Sequence, residues 1–188
     1  MQQATKKKLL LGLAAAGGML LCAAVLWYFV FISQFSPYYD KTYGFDIQYP
    51  VGWQVIRSPN PKVAVVFLSP KENALDVFRE NVNITIEDVP AQIANLKSFS
   101  DKIILQMTKV FKNVKVRESR PFMFGQRNGY RVVFTADKPD AITILNVWTI
   151  KSASKAYILT YMAISRNYQQ YLGLVDVMIR SFKLHPFA

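Results

Sequence analysis

Tyr43-Gly-Phe-Asp-Ile-Gln-Tyr49 decides the fold, because apolar and polar residues alternate along this stretch. A period of two is typical of a strand with one buried side. It places four side chains on the buried face: Tyr43, Phe45, Ile47 and Tyr49. Pro50-Val-Gly52 predicts a turn, after which Trp53 to Ile56 can form a return strand. The domain therefore opens with β-structure.

Further runs have the same character and are separated by turn residues. Val63 to Leu68 is a solid apolar run, typical of a buried strand that ends at Ser69-Pro70. Asn128-Gly129 predicts a hairpin, since both residues tolerate positive φ. The other predicted strands cover 81–87, 114–120, 130–136, 141–151 and 156–165, with a meander at 122–124.

Two segments have the three- and four-residue apolar spacing of amphipathic helices. The first begins at a cap supplied by Ser98 or Ser100 and ends at Lys112-Asn113. The second covers about Tyr168 to Ser181, with Asn167 as its possible cap. Few helices among hairpin-joined strands predict an α+β domain, with an antiparallel sheet and helices on its faces.

An uncharged apolar run from Leu9 to Ile32 precedes this domain. Its 24 residues exceed the ~20 that a helix needs to cross a bilayer. Small residues within the run are candidates for packing against another membrane helix, although an Ala/Gly-rich span contains such spacings by chance. These candidates are Gly12, Ala16 and Gly18.

Three lysines, Lys6 to Lys8, precede the run and none follows it closely, which predicts a cytoplasmic N-terminus. Two alternatives stay open. A cleaved signal peptide would have a shorter apolar core and a small-x-small cleavage site, whereas this run ends in bulky residues. A lipoprotein cysteine at Cys22 would need small residues before it, where Leu20 and Leu21 stand.

An uncleaved anchor predicts a single-pass protein of the inner (cytoplasmic) membrane with an extracytoplasmic, periplasmic domain. The predicted order is a cytoplasmic N-terminus, a transmembrane helix, a juxtamembrane linker, the domain and a short tail. Their bounds are 1–8, 9–32, 33–41, 42–184 and 185–188. Cys22 is the only cysteine, so the domain contains no disulfide and no thiol chemistry.

The net charge of the domain limits the kinds of partner that it is expected to bind. Twenty basic and twelve acidic residues follow Lys8, a net charge of +8. A basic domain held near a membrane suits an acidic protein, anionic lipid headgroups or an anionic polymer. Nucleic acid would require the opposite topology and is not expected.

Few residues of the domain are suited to catalysis or to metal binding. His185 is the only histidine and is expected to be a solvated tail residue, so neither a nucleophile–histidine triad nor a histidine metal site is predicted. Glu72, Asp76 and Glu80 would line one face if their segment were helical and could hold a hard cation, but a self-compensated solvated face is the preferred interpretation. Asp137 and Asp140 flank a predicted turn. We expect no enzyme activity and no cofactor.

Basic residues cluster in one region of the sequence, from the end of the first helix through the next two strands. If these residues converge in space, they form a cationic patch for acidic lipid heads or an acidic protein; otherwise they are dispersed solubilising charges. The candidate patch consists of Lys109, Lys112, Lys115, Arg117, Arg120, Arg127 and Arg131.

Four stretches in order resemble the PsbP-like domains over about residues 42–184. They are Gly44-Phe45 through Pro50-x-Gly52-Trp53, then Phe67-Leu-Ser-Pro70, Asn81-Val-Asn-Ile84 and Ile179-Arg-Ser-Phe-Lys-Leu184. The family includes an extrinsic subunit of the oxygen-evolving complex, DcrB lipoproteins and the Ran-binding Mog protein. The resemblance implies an α-β-α sandwich about a central antiparallel sheet, and a non-enzymatic accessory role.

The predicted anchor departs from the soluble thylakoid member, so an oxygen-evolving role is not expected here. The first hypothesis is an accessory or scaffold subunit whose domain binds partners in an envelope complex. The second is a basic domain that binds anionic lipid or polymer at the membrane surface. A hydrolase that uses the close carboxylate pairs, with Asp137 and Asp140 as the best candidate, is a third, weaker one.

Overall fold

Ten strands and two helices form the part of the chain that the computed structural model describes: residues 34–90, 95–138, 140–151 and 155–185, with Gly18, Met19 and Cys22. The helices are α1 (Leu96–Val110) and α2 (Tyr168–Ser181). The strands are β1 (Phe35–Asp40), β2 (Phe45–Pro50), β3 (Gln54–Ile56), β4 (Val63–Leu68), β5 (Asn81–Asp88), β6 (Lys112–Phe124), β7 (Arg127–Lys138), β8 (Asp140–Lys151), β9 (Lys155–Ile164) and β10 (Lys183–Leu184).

A seven-stranded sheet in the order β3-β4-β5-β9-β8-β7-β6 carries the fold. Every neighbouring pair in it is antiparallel, which confirms the predicted α+β class and central antiparallel sheet. A second sheet, β1-β2-β10, was not expected. The return strand β3 pairs with β4 rather than with β2.

The helices cover opposite faces of the seven-stranded sheet, as the alternation of its strands requires. Phe134 points to the α1 side, where Phe99 and Trp148 are buried. Its neighbour Val133 points to the α2 side, where Val175 is buried. Because successive strand residues point to opposite faces, strands buried on both sides read as continuous apolar runs. Each fully buried Phe or Val side chain stabilises the fold by about 1.5–3 kcal/mol.

The hairpin between β6 and β7 turns at Gly125-Gln126, because Phe124 pairs with Arg127. The predicted turn at Asn128-Gly129 is therefore wrong, and so is the separate meander at 122–124. Gly125 has a φ of 58°, which the turn requires. Gly129 lies inside β7, where a Cβ would be 2.4 Å from the carbonyl oxygen of Trp148. Glycine at 129 permits close backbone packing rather than a turn.

Both ends of the folded domain differ from their predictions. The predicted linker 33–41 contains β1, which pairs with β2. His185 is not a solvated tail residue: its Nε2 lies 2.7 Å from Oδ1 of Asp46, and its N–H donates to the carbonyl of Gly44. These contacts tie the last described residues to the second sheet.

The predicted span 9–32 lies outside the described residues, apart from Gly18, Met19 and Cys22. Gly12 and Ala16 are likewise outside them. Among the residues that the structure describes, no helix has the length and apolar character needed to cross a membrane. The chain divides into two units, Met1–Ser36 and Pro37–Ala188, and apart from Phe35 and Ser36 of β1 the fold above is that of the second.

Asn95 caps α1, not Ser98 or Ser100: its Oδ1 accepts from the backbone N–H of Ser98 at 2.9 Å. We expect Asn95→Ala to lower the free energy of unfolding by about 1 kcal/mol, because an N–H at the helix start loses its acceptor. Asn95→Asp keeps the acceptor and should leave stability near that of the wild type. Thermal melts of the two variants measure this, and equal loss in both would contradict the cap.

Candidate functional site

The carboxylate candidates are engaged in structural contacts. Glu72, Asp76 and Glu80 lie on the loop between β4 and β5 rather than on a helix. Asn167 donates from Nδ2 to Oε1 of Glu72 at 3.1 Å and of Glu80 at 3.2 Å, while Asp76 accepts from backbone N–H groups of its own loop. Asp137 accepts from Asn113 at 2.7 Å. Within the described ranges, no three His, Cys, Asp or Glu residues are grouped to hold a metal ion.

The basic candidates divide into three places along β6 and β7. Four of them lie at the end of α1 and along the first half of β6, and we call this set the basic edge: Lys109, Lys112, Lys115 and Arg117. Arg120 and Arg131 pair across the two strands further along. Arg127 lies at the hairpin, at the opposite end of β6 from Lys112. The predicted patch therefore converges only in part.

All four side chains of the basic edge are exposed. None of them makes an ion pair with an acidic group in the part of the chain that the structure describes. β6 is also the last strand of the seven-stranded sheet, so one side of its backbone is unpaired. Charged residues and Pro121 on such an edge deter pairing with a second sheet. The same charges leave this edge unneutralised and attractive to an acidic surface.

Arg120 and Arg131 turn toward α2 and form an ionic cluster with Glu118. Oε1 of Glu118 lies 2.6 Å from Nε of Arg120 and 3.2 Å from Nε of Arg131. Both guanidinium groups lie over the ring of Phe122, each 5.1 Å from its centroid. Arg131 is the more deeply buried of the two, with 11% of its side chain exposed against 53% for Arg120. Stacking on Phe122 holds both planes in place.

Helix α2 supplies the other wall of this cluster. Oδ1 of Asp176 lies 3.8 Å from Nη1 of Arg131, and Arg180 follows one turn later. The two strands and the helix enclose a cleft of about 450 Å³, which we call the arginine cleft. It is lined by Arg120, Phe122, Met123, Gly125, Arg131, Asp176 and Arg180.

Tyr168 belongs to the same region of the core. Its ring stacks on Tyr161, with the centroids 5.3 Å apart, and its buried hydroxyl lies beside Arg131. Burial raises the pKa of Tyr168, and the positive charge of Arg131 opposes that shift. The charge of Arg131 next to this buried hydroxyl interacts more strongly than it would in water.

Sequence reasoning missed Glu118, Asp176 and Arg180 as members of this site. Asp176 and Arg180 are four residues apart on α2, the spacing that places two side chains on one helix face. That spacing was the available signal. The sequence does not show which strand faces that side of the helix.

Two larger clefts in the described region have fewer charged residues in their lining. An apolar one of about 540 Å³ lies between the start of α1 and the β6–β7 hairpin, with Leu96 and Met123 in its lining. A polar one of about 510 Å³ lies between the turns after β1 and β3, near Tyr39 and Arg57. The arginine cleft, next to the basic edge, is the stronger candidate for recognition.

The family model described as PsbP matches residues 33–184 of the chain. No curated protein matches the sequence. Among solved structures, cyanobacterial PsbP (CyanoP) from Synechocystis sp. PCC 6803 is similar at 16% identity, with a TM-score of 0.63, over 81% of this chain and 93% of that chain. LpqN of Mycobacterium tuberculosis, involved in cell envelope biogenesis, is similar at 11% identity and a TM-score of 0.59 over 81% and 91%.

The Ran-binding protein Mog1p of Saccharomyces cerevisiae is similar at 7% identity, with a TM-score of 0.57, over 80% of this chain and 95% of that chain. At these identities the likeness concerns the fold alone. All three structures are matched over most of their length, so the similarity covers a whole domain rather than a shared hairpin or helix.

Proposed function

The chain belongs to the PsbP family, and from that premise we propose that it is a membrane-anchored, non-enzymatic accessory subunit that docks an acidic protein on its basic edge. The observation that carries the proposal is the set of four exposed cations at the end of α1 and along the edge strand β6, none with an acidic partner among the described residues. Such a surface steers an acidic partner into place and fixes its orientation.

The non-enzymatic part of the proposal is supported by how the reactive side chains are used. His185, the only histidine, contacts Asp46, and the Glu72 and Glu80 carboxylates share one donor on Asn167. These groups hold the second sheet and the β4–β5 loop in place. A role in structure accounts for each of them without a substrate.

The anchor rests on the sequence. The apolar run 9–32 behind Lys6 to Lys8 would hold the domain outside the cytoplasm and close to the cytoplasmic membrane. Gly12, Ala16 and Gly18 would allow another helix to approach the span. The similar folds add an analogy: LpqN is described as involved in cell envelope biogenesis, and Mog1p is described as a Ran-binding protein.

A second candidate function is binding of anionic lipid headgroups by the same cations. A span of residues 9–32 would keep the domain near the bilayer surface, where each Lys or Arg contributes about 1 kcal/mol of attraction to anionic lipid. The two functions differ in what co-purifies. A protein partner gives a complex of fixed composition, whereas headgroup binding depends on the lipid and is screened by salt.

The test is extraction of the tagged full chain from native membranes in mild detergent, followed by sizing and mass spectrometry. We expect a defined assembly larger than the 21.5 kDa chain, with a reproducible acidic partner. Deletion of residues 2–32 should move the protein from the membrane fraction to the soluble fraction. Repeated recovery of the chain alone would overturn the accessory role, and a membrane-bound deletion variant would overturn the anchor.

A further inference from the structure

We propose that the arginine cleft binds one carboxylate group of the docking partner. The basic edge then attracts the partner, and the cleft recognises a single acidic side chain on it. The inference rests on the proposed function and assigns the partner's chemistry. The cleft begins at Arg120, three residues beyond Arg117 and about 10 Å further along the strand. One extended acidic segment can therefore reach both surfaces.

The guanidinium groups of the cleft have donors to spare. The Glu118 contacts with Arg120 and Arg131 are short, yet neither has the alignment of a hydrogen bond, and Oε1 of Glu118 and Nε of Arg131 are both buried. At 3.8 Å, Asp176 is too distant to accept a strong hydrogen bond from Arg131. Arg180, exposed near the end of α2, makes no ion pair among the described residues, so its N–H groups are open to an incoming oxygen.

The charge of the cleft selects a monoanion. Three guanidinium groups face two carboxylates, which leaves one positive charge for a ligand to neutralise. A dianionic phosphate would leave an excess of negative charge in a partly buried site, which is unfavourable. A carboxylate matches the paired donors of an arginine and brings only one charge.

The apolar parts of the cleft add to this selectivity. Phe122 lies under both arginines, and Met123, half exposed, forms part of the lining. These surfaces can pack against the methylene groups or ring that carry a carboxylate. The chain's own Glu118 shows that a carboxylate on a short apolar stem fits between Arg120 and Arg131.

The test uses the full chain in mild detergent, with 3-phenylpropionate as the monocarboxylate probe and 3-phenylpropanol as its neutral match. Arginine Nε–Hε resonances and calorimetry report binding. We expect saturable binding of the acid only. Arg180→Gln should weaken it about tenfold, whereas Asp176→Asn, which removes a competing carboxylate, should strengthen it several-fold. Lys71→Gln, exposed on the β4–β5 loop and outside both the cleft and the basic edge, should leave it unchanged.

Equal binding by the wild type, Arg180→Gln and Asp176→Asn would overturn the inference, as would tighter binding of inorganic phosphate or of phosphatidylglycerol vesicles to the same arginines. Failure of the proposed function has a different signature. If no partner co-purified but phenylpropionate still bound, the proposed acidic protein partner would be rejected and the cleft would remain a carboxylate site. If a partner bound the wild type and Arg180→Gln equally, the proposed function would stand and the role of the cleft in partner binding would be rejected.

Discussion

Replacing Gly125 with alanine is expected to lower the free energy of unfolding by about 3 kcal/mol, because two costs add. The residue has a φ of 58°, which an L side chain rarely adopts. A Cβ would also lie 1.9 Å from the carbonyl oxygen of Phe182, a backbone atom that cannot rotate away. The N–H of Gly125 donates to the carbonyl of Ile179, so the hairpin and the end of α2 would separate.

The consequence should extend into the core and the cleft. The rings of Phe124 and Phe182 stack with their centroids 4.0 Å apart, directly beside the clash. For a chain of this size, the expected loss corresponds to a fall in melting temperature of about 10 °C. Gly173→Ala is the matched control, since it lies in α2 with nothing within 4 Å of its added Cβ. We expect Gly173→Ala to raise stability by about 0.5–1 kcal/mol.

Thermal and denaturant unfolding measure the stability of the Gly125→Ala and Gly173→Ala variants. The strained φ alone costs ~1 kcal/mol of unfolding free energy. If Gly125→Ala lost less than this and melted within about 2–3 °C of the wild type, the close approach of the hairpin to α2 would be incorrect.

Reversing three charges on the basic edge is expected to weaken partner binding about 100-fold. The variant carries Lys112→Glu, Lys115→Glu and Arg117→Glu, all at exposed positions without ion pairs among the described residues. Complementary charge raises association rates by about 10–10³-fold, and the reversed edge would repel an acidic partner. Because no ion pair is broken, the fold should be unaffected.

The control is a variant with the same change in net charge elsewhere on the domain: Lys41→Glu, Arg57→Glu and Lys71→Glu. These side chains are also exposed and unpaired in the described structure, and they lie on other segments. Quantitative co-purification at two salt concentrations compares the two variants. Equal loss in both would mean that net charge alone matters, which would contradict a docking surface on β6.

Local pattern predicted most of the elements. The alternation in β2 and β5 and the helical spacing of α2 were confirmed, with Phe45, Val82, Ile84 and Met178 all buried. These elements bury one face or stripe, so their period is visible in the sequence. Errors fell where the pattern was ambiguous. Asn128-Gly129 has the composition of a turn, but the contact that requires Gly129 comes from Trp148, nineteen residues away.

The candidate site was predictable only as a list of charges. The concentration of Lys and Arg between 109 and 131 is visible in the sequence, and the end of α1 and the first half of β6 place four of these residues on one edge. Arg120 and Arg131 differ from the others because Phe122 lies beneath them and Asp176 faces them from α2. That distinction depends on which helix covers which face of the sheet.

The sequence by itself determined the apolar segment, the excess of basic residues, the α+β class and the PsbP resemblance that the family match confirmed. Each depends on composition or short-range period, which neighbouring residues specify. Only the tertiary structure decided that β3 and β6 are the edges, that β1 and β10 flank β2 in a second sheet, and that Arg180 and Arg131 line one cleft. Those relations join residues far apart in the chain, where packing and strand register, rather than local preference, select the partner.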